Sequence, residues 1–193
     1  GWLYFSRERF DLYYPSYGDT YPTYSGAIGM TYEQGGIGAG LTVTTTEGDP
    51  LTLKDRIAHH YTTGLSTIEL SSKNATRLVD EFDKFFRENL NAPWPYKAYV
   101  IRSTNQRDKL NALLRWMDEH KIQYGHATVP KPVRGFDYET QTAITANISQ
   151  TDIVIPVQQA KGRLITTLFE PQTKLVDSLT YDITAWNLAY AYG

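Results

Sequence analysis

The residue whose setting most invites chemistry is Glu33. It ends the stretch SGAIGMTYEQGG (residues 25–36), a small-residue run without another charge that then breaks into glycines. A carboxylate at a strand end beside glycines can serve as a general base. Glycines let a substrate approach the backbone, and an apolar surround raises a Glu pKa toward neutrality. A Glu that simply leaves its strand into water would carry the same pattern, and the residues alone leave both readings open. The other chemistry-bearing groups are sparser. His59, His60, His120 and His126 lack the short H-x-x-E or H-E-x-x-H spacings of zinc sites. His59 and His60, adjacent on a helix, point about 100° apart and bind one ion poorly. GGIGAG (35–40) has G-x-G spacing, but a β-branched run follows instead of the helix that a dinucleotide site requires. No G-x-S-x-G elbow is present. Asn74 and Asn147 fit the glycosylation pattern, and Asn74 also falls at an expected helix start, where capping is the simpler role.

The elements that must position these groups follow from periodicity and punctuation. Residues 11–24, with two prolines and many tyrosines, read as an ordered loop that could line a cleft. Residues 26–33 and 41–46 read as strands, separated by a glycine turn. Thr52, with Asp55 three residues on, predicts a helix N-terminus. Leu53, Ile57, Tyr61, Leu65 and Ile68 then form one apolar face. A second helical pattern covers 72–89, with a bend expected near Ser71–Ser72. NAPWPY (91–96) stops it, because two prolines in three residues cannot continue a helix. Beyond lie a strand at 96–102, a helix from Asn105, and a strand at 122–128. That βαβ order favours a parallel sheet. Two further strands (138–147 and 151–157), a helix at 161–170 and a C-terminal segment complete the pattern.

The totals bound the function classes. The chain has 193 residues, 41% hydrophobic and 21% charged, a globular composition. Net charge is −2 without any block of like charge, which argues against a nucleic-acid surface. Cysteine is absent, so disulfides, thiolate metal sites and cysteine nucleophiles are excluded. No run approaches a membrane span. The opening GWLYFSRERFDLYYP has no leader pattern and reads as a start inside a larger protein.

FDLYYPSYGDTYPTYSGAIGMTYEQGG followed by a long helix resembles the last part of a zinc metallocarboxypeptidase catalytic domain, in particular that of large bacterial members with an appended domain. AYVIRSTNQRDKLNALLRWMDEHKIQY and GRLITTLFEPQ…DSLTYDITAWNLAYAYG resemble that appended region. The resemblance implies an α/β chain in two parts. Residues 1–92 would be the C-terminal portion of a carboxypeptidase-like mixed-sheet domain. Residues 96–193 would be a smaller α/β domain, flavodoxin-like or glutamine-amidotransferase-like, the latter without its cysteine. It further implies a hydrolase acting on peptide or protein substrates near a C-terminus. Its zinc ligands and substrate-binding arginines would lie upstream of this chain, so that the chain alone carries no zinc and is inactive. Glu33 matches the family's catalytic glutamate, which activates the metal-bound water and passes the proton to the leaving amine. A tyrosine about twenty residues earlier closes over substrate in the family. Tyr14 is the match, with Tyr13 and Tyr17 as rivals. Export to a bacterial periplasm or cell surface belongs to the same resemblance. A non-catalytic binding or scaffold module of a cell-envelope protein is the other class considered. Cutting a sheet exposes apolar surface, so a homodimer of the fragment is also expected.

Overall fold

The computed structural model describes residues 15–34, 38, 40–173 and 186–192. Among these the fold is mixed α/β, with six helices and three small antiparallel sheets. A short helix α1 (Thr20–Thr23) precedes a two-strand hairpin, β1 (Val43–Thr44) with β2 (Pro50–Leu51). Two long helices follow, α2 (Leu53–Lys73) and α3 (Ala75–Asn91). Then come β3 (Ala98–Ile101), α4 (Arg107–Glu119) and β4 (Gly125–His126). A longer hairpin, β5 (Lys131–Asp137) and β6 (Thr142–Ile148), leads to β7 (Ile153–Pro156), α5 (Gly162–Phe169) and α6 (Leu188–Tyr192).

Helix α2 starts where its cap requires. The Thr52 hydroxyl accepts from the Asp55 N–H at 3.2 Å, and the Asp55 carboxylate accepts from the Thr52 N–H at 3.0 Å, a reciprocal capping box. The bend lies at Asn74 rather than at Ser71–Ser72. Asn74 does not cap α3: its amide Nδ2 donates back to the Leu70 carbonyl at 2.8 Å and closes the end of α2.

The core belongs to the second part. Ile153 and Ile155 on β7, Val157 after it, Leu113 and Met117 on α4, and Leu164, Ile165, Leu168 and Phe169 on α5 are buried together with Tyr99 and Ile122. Strand β7 lies between β3 and β4 and is antiparallel to both. The expected parallel sheet is therefore corrected. β3 and β4 do run the same way, as a βαβ unit demands, but β7 is inserted between them and every pairing is antiparallel. An all-parallel flavodoxin-like sheet is not formed by the described residues. β5 was not expected as a strand, because Pro132 and Gly135 weaken its pattern. It pairs on one side only, where a proline is tolerated.

Helix α3 meets the start of α5 through a few specific contacts. The buried Asn89 amide at the end of α3 donates to the Ala160 carbonyl at 2.8 Å, and the Trp94 indole donates to the Asn89 carbonyl at 3.0 Å. Arg163 sits over the Phe85 ring at 5.1 Å and Lys161 over Phe86 at 5.8 Å.

Helix α2 is turned opposite to its expected role. Its apolar stripe is exposed, Tyr61 at 67% and Ile68 at 68%, with Leu53, Ile57 and Leu65 also open. On its polar side His59 and Thr67, with Arg56 one turn before, take the contacts described next.

Candidate functional site

Residues 27–34 form no strand. The expected strand at 26–33 is an irregular segment without a ladder partner among the described residues, and 41–46 contributes only Val43–Thr44 to pairing. What holds the segment instead is a series of side-chain tethers. The Tyr32 hydroxyl lies 2.6 Å from the Thr67 hydroxyl, and the Gln34 side-chain Oε1 2.9 Å from His59 Nδ1. Farther along, Arg56 Nη2 donates to the Leu41 carbonyl at 3.0 Å. The partners descend α2 in order, residues 67, 59 and 56, so the chain runs antiparallel to the helix. At its start the segment touches α1: the Thr31 hydroxyl donates to the Asp19 carboxylate at 2.5 Å. Gly29 passes so close to this turn that a Cβ built on it would sit 1.6 Å from the Asp19 carbonyl oxygen.

Glu33 stands between two tethered neighbours. Glu33 is exposed, and its neighbours Tyr32 and Gln34 are each held to α2 by a side-chain contact. The arrangement presents one carboxylate to solvent from a tethered segment.

Of the two tyrosines matched to substrate contact, Tyr14 lies outside the described residues. Tyr17 is half-buried in the turn before α1, where its carbonyl accepts from the Tyr21 N–H at 2.9 Å. The structure therefore tethers the neighbours of Glu33 to α2, and Tyr17 belongs to the turn before α1. Tyr32, Gln34, Thr67 and Arg56 were not singled out from the sequence. The signal that could have found them is the i, i+4 spacing of His59, Thr63 and Thr67, a polar stripe opposite the apolar one.

The histidines do not converge. His120 Nδ1–H donates to the Trp116 carbonyl at 2.7 Å and stacks on that indole, and His126 Nδ1–H donates to the Asp152 carbonyl at 3.1 Å. A carbonyl can only accept, which fixes the proton on Nδ1 in both. Among the described residues no group of three His, Cys, Asp or Glu side chains could hold a metal ion. Zinc therefore does not fit the donor set present here. No described helix is long and apolar enough to cross a membrane.

The carboxylate with the strongest local support is Asp152, in the second part. It is buried and joins β3 to the β6–β7 turn. It accepts from the Ser103 and Ser149 N–H groups, both at 2.9 Å, and from Arg102 at 3.3 Å. Desolvation pushes its pKa up, but the backbone and hydroxyl bonds from Ser149 and Ser103 outweigh this together and hold it below the usual carboxylate value. Every oxygen is occupied by structural donors, so Asp152 is a joint and not a base.

Comparison with known proteins returned no matching family model, no matching curated protein and no matching solved structure.

Proposed function

We propose that this chain carries the glutamate-bearing C-terminal portion of a zinc metallocarboxypeptidase-like domain, followed by an appended α/β domain, with Glu33 as the general base of peptide-bond hydrolysis near a substrate C-terminus. The observation that supports the reading best is the presentation of Glu33. The tethers of Tyr32 and Gln34 hold the backbone on either side of it, while Glu33 itself is left exposed to solvent. Held this way, the group can take a proton from an attacking water and return it to the leaving amine. Zinc, on this reading, is held by residues outside the chain, and so is whatever surface lowers the polarity around Glu33. An envelope or secreted location goes with the same resemblance.

The experiment is an assay of the longer protein that the reading implies. Release of the C-terminal residue from a short peptide with a free carboxylate is expected, with no release from the same peptide amidated. Release from the amidated peptide alone, or from neither, counts against a carboxypeptidase. A second reading, a module seated on a partner, is favoured by one observation, the exposed apolar stripe of α2. It is separated from the first by the same assay together with the association behaviour considered below.

A further inference from the structure

Beside the Glu33 segment, between it and the first half of α2, lies a cavity of about 480 Å³. It is an open groove, whose apolar side is the exposed stripe of α2. Its polar groups are Gln34, His60 and Arg56, and its apolar walls are Leu53, Ile57 and Tyr61. Arg56 is only 6% exposed. One of its nitrogens, Nη2, is used by the Leu41 carbonyl, whereas its buried Nε–H has no hydrogen-bond partner. No described carboxylate is ion-paired with it. Asp55, next in sequence, is taken up by the Thr52 cap. A guanidinium buried without an anion is costly, and the cost is relieved by a ligand that brings one.

We propose that this cavity binds a free monocarboxylic acid with an apolar body, anchored by Arg56. A carboxylate matches the planar fork of a guanidinium and can accept from Nε–H and a neighbouring N–H together. A single arginine neutralises one negative charge, which suits a monoanion better than a phosphate dianion. The leucine, isoleucine and tyrosine walls select an acid with an apolar group over a bare inorganic anion. Glu33 does not line the site, so the ligand is taken as distinct from the substrate of the proposed hydrolysis.

The test is a titration of the 193-residue chain with phenylacetate, and separately with its neutral isostere phenylacetamide, read by calorimetry and by the Arg56 Nε–H cross-peak in a ¹⁵N–¹H spectrum. Phenylacetate is expected to bind at least tenfold more tightly than phenylacetamide and to move that cross-peak. Arg56→Gln is expected to abolish the difference. Because this change also removes the bond to Leu41, Tyr61→Ala provides a second variant: it leaves Arg56 in place and should weaken phenylacetate severalfold with unchanged helical circular dichroism. Equal affinities for acid and amide, binding that survives Arg56→Gln, a stationary Nε–H at saturation, or no binding at millimolar acid would each overturn the proposal.

Discussion

Replacing Gly29 by alanine tests the placement of the Glu33 segment with a single methyl group. The added Cβ would lie 1.6 Å from the Asp19 carbonyl oxygen and 2.7 Å from its carbon, with Thr23 at 3.1 Å. An ordinary carbon–oxygen contact is about 3.3 Å or more, so the backbone must part by well over an ångström. The obstacle is backbone, which has no rotamer to change, and the Thr31–Asp19 bond at 2.5 Å lies directly in the path of the displacement. Insertions of this kind cost about 1–3 kcal/mol. The functional effect should be larger than the effect on stability, because Glu33 is four residues along the same segment, and a misplacement of about 1 Å can cost on the order of 10²-fold in rate. Two assays bear on this. Urea denaturation of the 193-residue chain should show the first part weakened. In the longer protein kcat should fall about 10²-fold. Gly64→Ala is the control, since a Cβ there, in the middle of α2, meets nothing within 4 Å. It should stabilise the helix by up to about 1 kcal/mol. A Gly29→Ala protein as stable and as active as its parent would refute the close approach and the positioning argument with it.

Asp152→Asn should destabilise the second part by about 1–3 kcal/mol, because an amide turned toward the Ser103 and Ser149 N–H groups leaves one of them buried without an acceptor; urea midpoints monitored at Trp116 measure it. The Asp152 carboxyl is held lower in the folded than in the unfolded chain, so the folded state binds fewer protons. Its contribution is complete above the unfolded carboxylate pKa of about 3.9 and is lost as pH falls through the lower folded value. Wild-type thermal stability should therefore drop more steeply than that of Asp152→Asn below about pH 4. The exposed α2 stripe predicts self-association of the 193-residue chain, relieved by Ile68→Glu; sedimentation velocity showing a single monomer for both proteins would count against it. Tyr32→Phe removes the 2.6 Å contact with Thr67 and, in the longer protein, should lower kcat severalfold without a change in overall stability beyond about 1 kcal/mol.

The parts of the fold legible in the sequence are those set by local physics. Thr52 and Asp55 mark the start of α2, the prolines of NAPWPY end α3, and Leu110, Leu113, Leu114 and Met117 place α4 against the core. Pairing was not legible, since β7 finds β3 and β4 across about fifty and thirty residues of chain, and nothing local in β3 indicates that an antiparallel strand will separate it from β4. The segment 26–33 has strand-like composition, but the contacts of Tyr32 and Gln34 are side chain to side chain with α2 and not a ladder. The helix stripes show the same limit. Periodicity identified the apolar face of α2 but could not say that the polar face would be the one contacted. At the site, residue type and spacing made Glu33 a candidate, whereas the clamp around it and the buried Arg56 depend on tertiary contacts.

Glu33→Gln in the longer protein, compared with its parent for kcat and KM on a peptide with a free C-terminus, tests the central claim most directly. The substitution keeps the side chain's size and its exposed position and removes only its ability to take a proton. A general base predicts kcat lowered by about 10²–10⁴ with KM little changed. An unchanged kcat would contradict the assignment of Glu33 as the base.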